Sequence, residues 1–227
     1  MKGVTAAPKS KKSPGPSKTP QGLLRELPPT DRGARRRAAL IAAARKVFER
    51  SGYVNTRLSD ITEEAKCSAG TFYTYFKTKE EIFAALLETV QEEMLHPGAG
   101  SEVVDAASAY EVLEASNRAY LASYKRNGKL MGLLEEVALV DPVFGDLRQR
   151  RADAFISRNA RNIAELQKRG VADPDLDPEL TARALSAMVS RTAYRYFAAA
   201  TGRKRVNFDK LVETITRIWA NALRITP

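Results

Sequence analysis

One cysteine and one histidine among 227 residues leave few chemistries open. Cys67 has no second cysteine to pair with, so no intrachain disulfide is possible. Cys67 and His96 together are too few ligands for a conventional structural zinc site. A Ser-His-Asp arrangement would have to use His96, which lies in a helix-breaking His-Pro-Gly sequence with no nucleophile turn near it. No apolar run approaches the roughly 18 residues that span a bilayer. The first residues also lack the apolar core that a signal peptide needs. No Val/Ile/Thr-rich alternation bounded by hairpin turns is present, which argues against strands. These absences point to a cytoplasmic, all-helical protein that is not an enzyme and needs no metal or cofactor. An active site made of carboxylates alone stays open.

What is present is unevenly placed. Residues 1–37 hold ten Lys or Arg against Glu26 and Asp31, so most of the chain's net charge of +10 sits there. The first 33 residues are rich in Lys, Pro, Ser and Gly and have few large apolar side chains, so they cannot bury enough surface to offset the entropy of ordering. We expect a disordered basic arm over 1–33. Such an arm suits a polyanion, because neutralised phosphates release counterions; it equally suits a solubilising tail.

From there on, the apolar spacing is helical. Leu40, Ile41, Ala44, Val47 and Phe48 form one stripe at period 3.6 in a helix expected over 35–51, with Gly52 as its stop. Thr56 is expected to cap a short helix whose inner face carries Leu58, Ile61 and Ala65. Lys66 and Cys67 then read as a tight turn. Ser68 is expected to cap a second short helix with Phe72 and Phe76 on one side. Thr78 and Glu81 read as a capping box for the next helix, which ends before Pro97. Further helices follow around Tyr120 and around Leu134, after Asp141-Pro142, after Asp177-Pro178 to near Gly202, and over 207–224. The total is nine, with no internal repeat.

Two short capped helices joined by a tight turn make a helix-turn-helix, whose second helix enters the DNA major groove by its N-terminal end. Here that end is Ser68, Ala69, Gly70 and Thr71, all small enough for close backbone approach. Tyr73, Thr74 and Tyr75 add hydroxyls, and Lys77 and Lys79 add charge at its exit. Phe72 and Phe76 already supply a buried side. Tyr73 and Tyr75 cannot both share it, so at least one is expected outside.

The run from Thr56 to Phe83, TRLSDITEEAKCSAGTFYTYFKTKEEIF, resembles the tetracycline-repressor-like (TetR) family. The likeness covers about residues 35–95; beyond them only the all-helical layout is similar. The resemblance implies phosphate contacts from Thr56, Ser68, Thr71, Tyr75 and Lys79. It also implies a groove-facing set of Ala69, Gly70 and Tyr73. Thr74 and Lys66 complete the candidate DNA-binding residues. Two positions depart from the family pattern: Lys66 stands where the turn has glycine, and Cys67 where it has valine. A left-handed Lys66 costs about 1–2 kcal/mol, yet adds a phosphate-seeking charge. Cys67 reads as a small buried hydrophobe rather than a redox sensor.

The implied organisation is a helix-turn-helix domain over 34–80 and a helical ligand-binding and dimerisation domain over 81–227. The implied function is a sequence-specific regulator, a repressor that a small lipophilic ligand releases from an inverted-repeat operator in double-stranded DNA. Pocket candidates are Tyr120, Tyr124, Met131, Leu134, Phe155 and Met188, which combine apolar bodies with a few hydroxyls. Arg191 and Arg195 are further candidates for meeting an anionic group. A homodimer is expected to pair through Tyr194, Phe197, Ile215, Ile218 and Trp219 on the last two helices. The rival reading is a basic protein that coats DNA without sequence choice, chiefly through its arm.

Overall fold

A computed structural model describes residues 30–95, 108–199 and 206–226. The arm from 1 to 29 and the His-Pro-Gly sequence at 96–98 lie outside the described residues. Within them the chain is all-helical, with nine α-helices and no strand. They are α1 (Asp31–Asn55), α2 (Leu58–Glu64), α3 (Ala69–Tyr75), α4 (Lys79–Leu95), α5 (Ala109–Arg126), α6 (Gly128–Ala138), α7 (Pro142–Lys168), α8 (Pro178–Ala193) and α9 (Phe208–Leu223).

The helix ends follow the capping chemistry in most cases. Ser68, Asp141, Asp177 and Asn207 each accept a backbone N–H of the helix they precede. α1 starts four residues earlier than its stripe suggests, because the Thr30 hydroxyl accepts the Gly33 N–H at 3.1 Å. The expected arm therefore ends by Thr30. Gly52 breaks the α1 geometry at φ 76°, a conformation open to glycine without a Cβ penalty. α8 does not continue to Gly202; it passes into a π-helical turn over Tyr194–Ala198 and ends there.

α1 to α3 and the start of α4 form a head around Leu40, Val47, Phe48, Ile61, Phe72, Phe76, Ile82 and Phe83, all buried. α5 to α9 form a body in which α7 packs along α8 and α5 along α9. The two halves share one aromatic cluster. Phe83 of α4 lies 4.9 Å from Phe48, 4.8 Å from Tyr53 and 5.3 Å from Phe144 of α7, centroid to centroid. Arg45 of α1 also donates to the Asn127 side chain at the α5–α6 junction, at 2.8 Å.

Within the body, α6 presses backbone to backbone on the π-helical turn. A Cβ on Gly128 would lie 2.2 Å from the Phe197 carbonyl oxygen, and one on Gly132 3.3 Å from that of Ala198. Only glycine fits the first of these positions.

Candidate nucleic-acid interface

The tip of the head is built by α2, the turn after it and α3. Asp60 accepts the Arg57 N–H at 2.8 Å and starts α2. Thr56, expected to cap this helix, does something else. Its hydroxyl donates to the Gly52 carbonyl at 2.6 Å, and the residue is only 3% exposed. It braces the α1–α2 corner, and its side chain is not on the surface for a phosphate.

α2 ends in a double bond pattern: the Lys66 N–H reaches the Glu63 carbonyl and the Cys67 N–H the Thr62 carbonyl, both at 3.0 Å. This is a Schellman closure, which needs a left-handed residue at its penultimate position. Lys66 fills it at φ 49°. Its side chain is exposed, whereas Cys67 is half-buried and packs on the core.

Ser68 caps α3 by accepting the Thr71 N–H at 3.2 Å, and its hydroxyl lies 3.1 Å from that of Thr71. Ser68, Ala69 and Gly70 are exposed. A Cβ on Gly70 would meet nothing closer than the Ser68 hydroxyl at 3.8 Å, so this face is open. Thr74 is exposed and its hydroxyl returns to the Gly70 carbonyl at 3.1 Å. The two tyrosines divide as expected: Tyr73 is 54% exposed, and Tyr75 is half-buried against the core. Lys77 is exposed.

Lys79 turns inward instead. Its ammonium donates to the carbonyls of Tyr53 and Thr56, at 2.9 and 3.2 Å, and sits 4.5 Å from the Tyr53 ring centroid. A lysine with its donors on main-chain oxygens ties α4 to the α1–α2 corner and is not a free phosphate contact. The neighbouring Tyr53 hydroxyl donates to Glu80 at 3.1 Å, and burial with the Glu80 charge pushes its pKa up. Thr78 accepts the Glu81 N–H, but the Glu81 carboxylate accepts from Lys77, one residue short of a reciprocal box.

In the body, four of the six pocket candidates converge. Tyr120 lies 6.0 Å from Tyr124 and 5.4 Å from Phe155, ring to ring. Met131 offers its sulfur to Arg151 at 3.8 Å. Leu134 is buried and Met188 half-buried in the same apolar core. The residue missed by sequence reading is Arg151 itself, 6% exposed among these side chains. It donates to the Leu87 carbonyl of α4. Burial pulls its pKa down to about 10, against the pull of Tyr120 and Tyr124. Burial also pushes the Tyr120 and Tyr124 hydroxyls up, so both stay protonated donors. Arg191 and Arg195, the anion candidates, are exposed, and Arg191 lies over the Tyr194 ring.

The dimer candidates split. Ile218 is 42% exposed and lies in an outward cleft of about 430 Å³ with Lys210, Glu213, Thr214, Arg217 and Asn221. Tyr194 and Phe197 are half-buried. Ile215 and Trp219, at 3% and 5% exposed, are buried within the chain itself, because α9 turns that stripe toward its own core. They are core residues, not an open pairing face.

Two family descriptions match the chain. "Bacterial regulatory proteins, tetR family" covers residues 40–86, and "Transcriptional regulator EthR, C-terminal domain" covers 113–224. The chain is 25% identical over 208 residues to the HTH-type transcriptional regulator EthR of Mycolicibacterium smegmatis, spanning 91% of this chain and 93% of that protein. It is 27% identical over 168 residues to the HTH-type transcriptional regulator TtgR of Pseudomonas putida, spanning 70% and 79%. A crystal structure from Syntrophomonas wolfei, described as a TetR-family regulator, superposes with a TM-score of 0.69 at 22% identity, over 83% of this chain and 95% of that one.

Proposed function

Since the chain belongs to the TetR family of bacterial regulatory proteins, DNA-binding regulators of transcription and not enzymes, we propose that it is a homodimeric repressor of an inverted-repeat operator, released by a small lipophilic ligand. The observation that carries the DNA-reading part is the open tip of α3. Ala69, Gly70 and Tyr73 face solvent on a helix fixed by the Ser68 cap, with the Thr71 hydroxyl beside that cap and Thr74 exposed one turn on. Small residues let the backbone reach the groove, and Tyr73 brings one large side chain to it. Ser68, Thr71, Tyr75, Lys66 and Lys77 are the phosphate-side residues of this reading. Thr56 and Lys79 act behind them by holding the corner that positions α2.

Pairing follows from reach. One short helix reads few base pairs, and a two-fold dimer sets two such helices about 34–36 Å apart, in successive major grooves. Ligand control follows from α4, which runs from the head's corner at Lys79 to the body's Arg151 contact at Leu87. A ligand that binds the DNA-incompetent arrangement about 100-fold better shifts the balance by ~2.7 kcal/mol. A cytoplasmic location fits such a role; no helix among the described residues is long and apolar enough to cross a membrane.

The test is selection of bound DNA from a random pool at a stated salt concentration, with light scattering on the same sample. An enriched inverted repeat and a dimer mass are expected. No enrichment, with binding that falls equally on all sequences when residues 1–29 are removed, would favour a coating protein instead.

A further inference from the structure

Arg151 presents an electrostatic problem that the chain does not solve by itself. A guanidinium carries five N–H donors and a full charge, and burying it without a counterion is costly. Its hydrogen-bond partners here are the Leu87 carbonyl and the Met131 thioether, one neutral and one weak acceptor. No carboxylate among the described residues pairs with it. Seven residues on, along the same face of α7, Arg158 repeats the arrangement. It donates to the Leu95 carbonyl at 2.8 Å and stacks 5.2 Å from the Phe155 ring centroid, again with no acid. Tyr120 and Tyr124 stand between α5 and this face, and both carry protonated hydroxyls. The cluster thus holds two cations, two O–H donors, an aromatic ring and a thioether; the one carboxylate whose charge reaches it, Glu135, acts on Tyr124 and is spent on Arg148 at 3.9 Å, not on Arg151 or Arg158. Tyr120 and Phe155, one ring from α5 and one from α7, are partly exposed and form the outer edge of the cluster.

We propose that Arg151, flanked by Tyr120 and Tyr124, receives the carboxylate of an amphipathic acid whose apolar tail lies against Met131 and Phe155. This rests on the reading that the body holds a small ligand, and it names the class. A carboxylate accepts two parallel N–H bonds from one guanidinium and further bonds from the phenols. The same event has a route to the head. Arg151 and Arg158 pin α7 to α4 through the carbonyls of Leu87 and Leu95, and α4 begins at the Lys79 corner that sets α2. An anion that draws Arg151 away from Leu87 removes one of those pins and frees α4 to shift. Binding and release from DNA are then one exchange of partners at a single guanidinium.

The probes are decanoate, decanol and acetate, titrated calorimetrically into the full-length protein and followed by thermal unfolding. Decanoate is expected to bind at least about tenfold tighter than decanol, the worth of one charge-assisted contact, and acetate to bind much more weakly than either. In Arg151→Met the acid and the alcohol should bind alike. Tyr124→Phe, which keeps the shape and removes one O–H, should narrow the preference by a few-fold and guards against a folding defect in the first variant. Decanol binding as tightly as decanoate to the wild-type protein overturns the anion reading alone. So does a preference for the acid that survives Arg151→Met. If neither decanoate nor decanol binds, the ligand-holding reading of the body falls with it.

Discussion

The head and the body use the same element and place their polar groups in opposite ways. In the head, α2 and α3 bury aromatic and aliphatic residues and turn Ser68, Thr71, Tyr73, Thr74 and Lys66 outward. In the body, α5, the α5–α6 junction and α7 bury Asn117, Ser123, Asn127 and Arg151. A polar group on the surface costs nothing to hold, so the head can spend its hydroxyls on a partner and stay stable without it. A polar group inside must be satisfied within the fold or by a guest. The Asn117 amide meets the Thr216 hydroxyl at 3.2 Å and is settled. Arg151, with a carbonyl and a thioether, is not. Recognition by the head is therefore a matter of shape and exposed polar groups, while in the body it is written as an internal deficit.

The comparison breaks most severely at the glycines, which do opposite jobs in the two halves. In the body, Gly128→Ala puts a methyl group 2.2 Å from the Phe197 carbonyl oxygen. Either α6 or the π-helical turn must move, and the cost expected is about 3 kcal/mol in urea unfolding. A loss of less than about 1 kcal/mol would mean that the close approach is not rigid. Arg151→Met comes next and should raise stability without ligand, by about 2 kcal/mol. Folding lowers this arginine's pKa from its ordinary value to about 10. Below that pH the charge is present in both states and its burial penalty is constant; only above it would the penalty fade as pH rises. The Leu87 carbonyl lies within α4, so losing the arginine does not orphan it. A variant less stable than the wild type at neutral pH would show the internal deficit to be settled after all.

In the head, Gly70→Ala separates function from folding. The position has room for a methyl group and no positive φ, so stability should hold or rise by about 0.5–1 kcal/mol. The methyl faces outward where DNA would approach, and operator affinity should drop about tenfold, or ~1.4 kcal/mol. Unchanged affinity in a gel-shift titration would move the reading surface away from the start of α3.

These expectations also mark what the sequence made legible. Caps and stripes located every helix of the head, because Ser68, Thr78, Phe72 and Phe76 act within a few residues of themselves. The role of Thr56 is not legible in sequence, because a hydroxyl four residues after Gly52 can bond backward as readily as forward, and only the corner geometry decides. Lys79 matched a family position, but its inward turn depends on the free carbonyls of Tyr53 and Thr56, far away in sequence. The stripe on α9 was plain, yet a stripe does not say whether the helix that covers it belongs to the same chain. Spacing alone therefore does not separate a partner-facing Ile215 and Trp219 from the buried ones of this fold. The signal for Arg151 is present in the sequence. Phe144, Leu147, Arg151, Phe155 and Arg158 follow helical spacing, so two cations stand in the buried stripe of α7. A charge on a core stripe is a functional hint of the same kind as a small-residue helix tip.

The finest comparison lies inside the head, at its one left-handed residue other than glycine. Lys66 holds φ 49° in the closure of α2, the place where glycine is the unstrained choice. Lys66→Gly should relieve that strain and raise stability by about 1 kcal/mol, set against the entropy that a glycine adds to the unfolded chain. If the exposed ammonium meets a phosphate, the same change should weaken DNA binding on all sequences alike. It should also flatten the dependence of log affinity on log salt by about 0.9, the worth of one released counterion. Lys66→Ala removes the charge but keeps the strain, so the two variants should share the salt slope and differ in stability. If neither changes the slope, the lysine has no phosphate partner, and its strain stands without a return in binding.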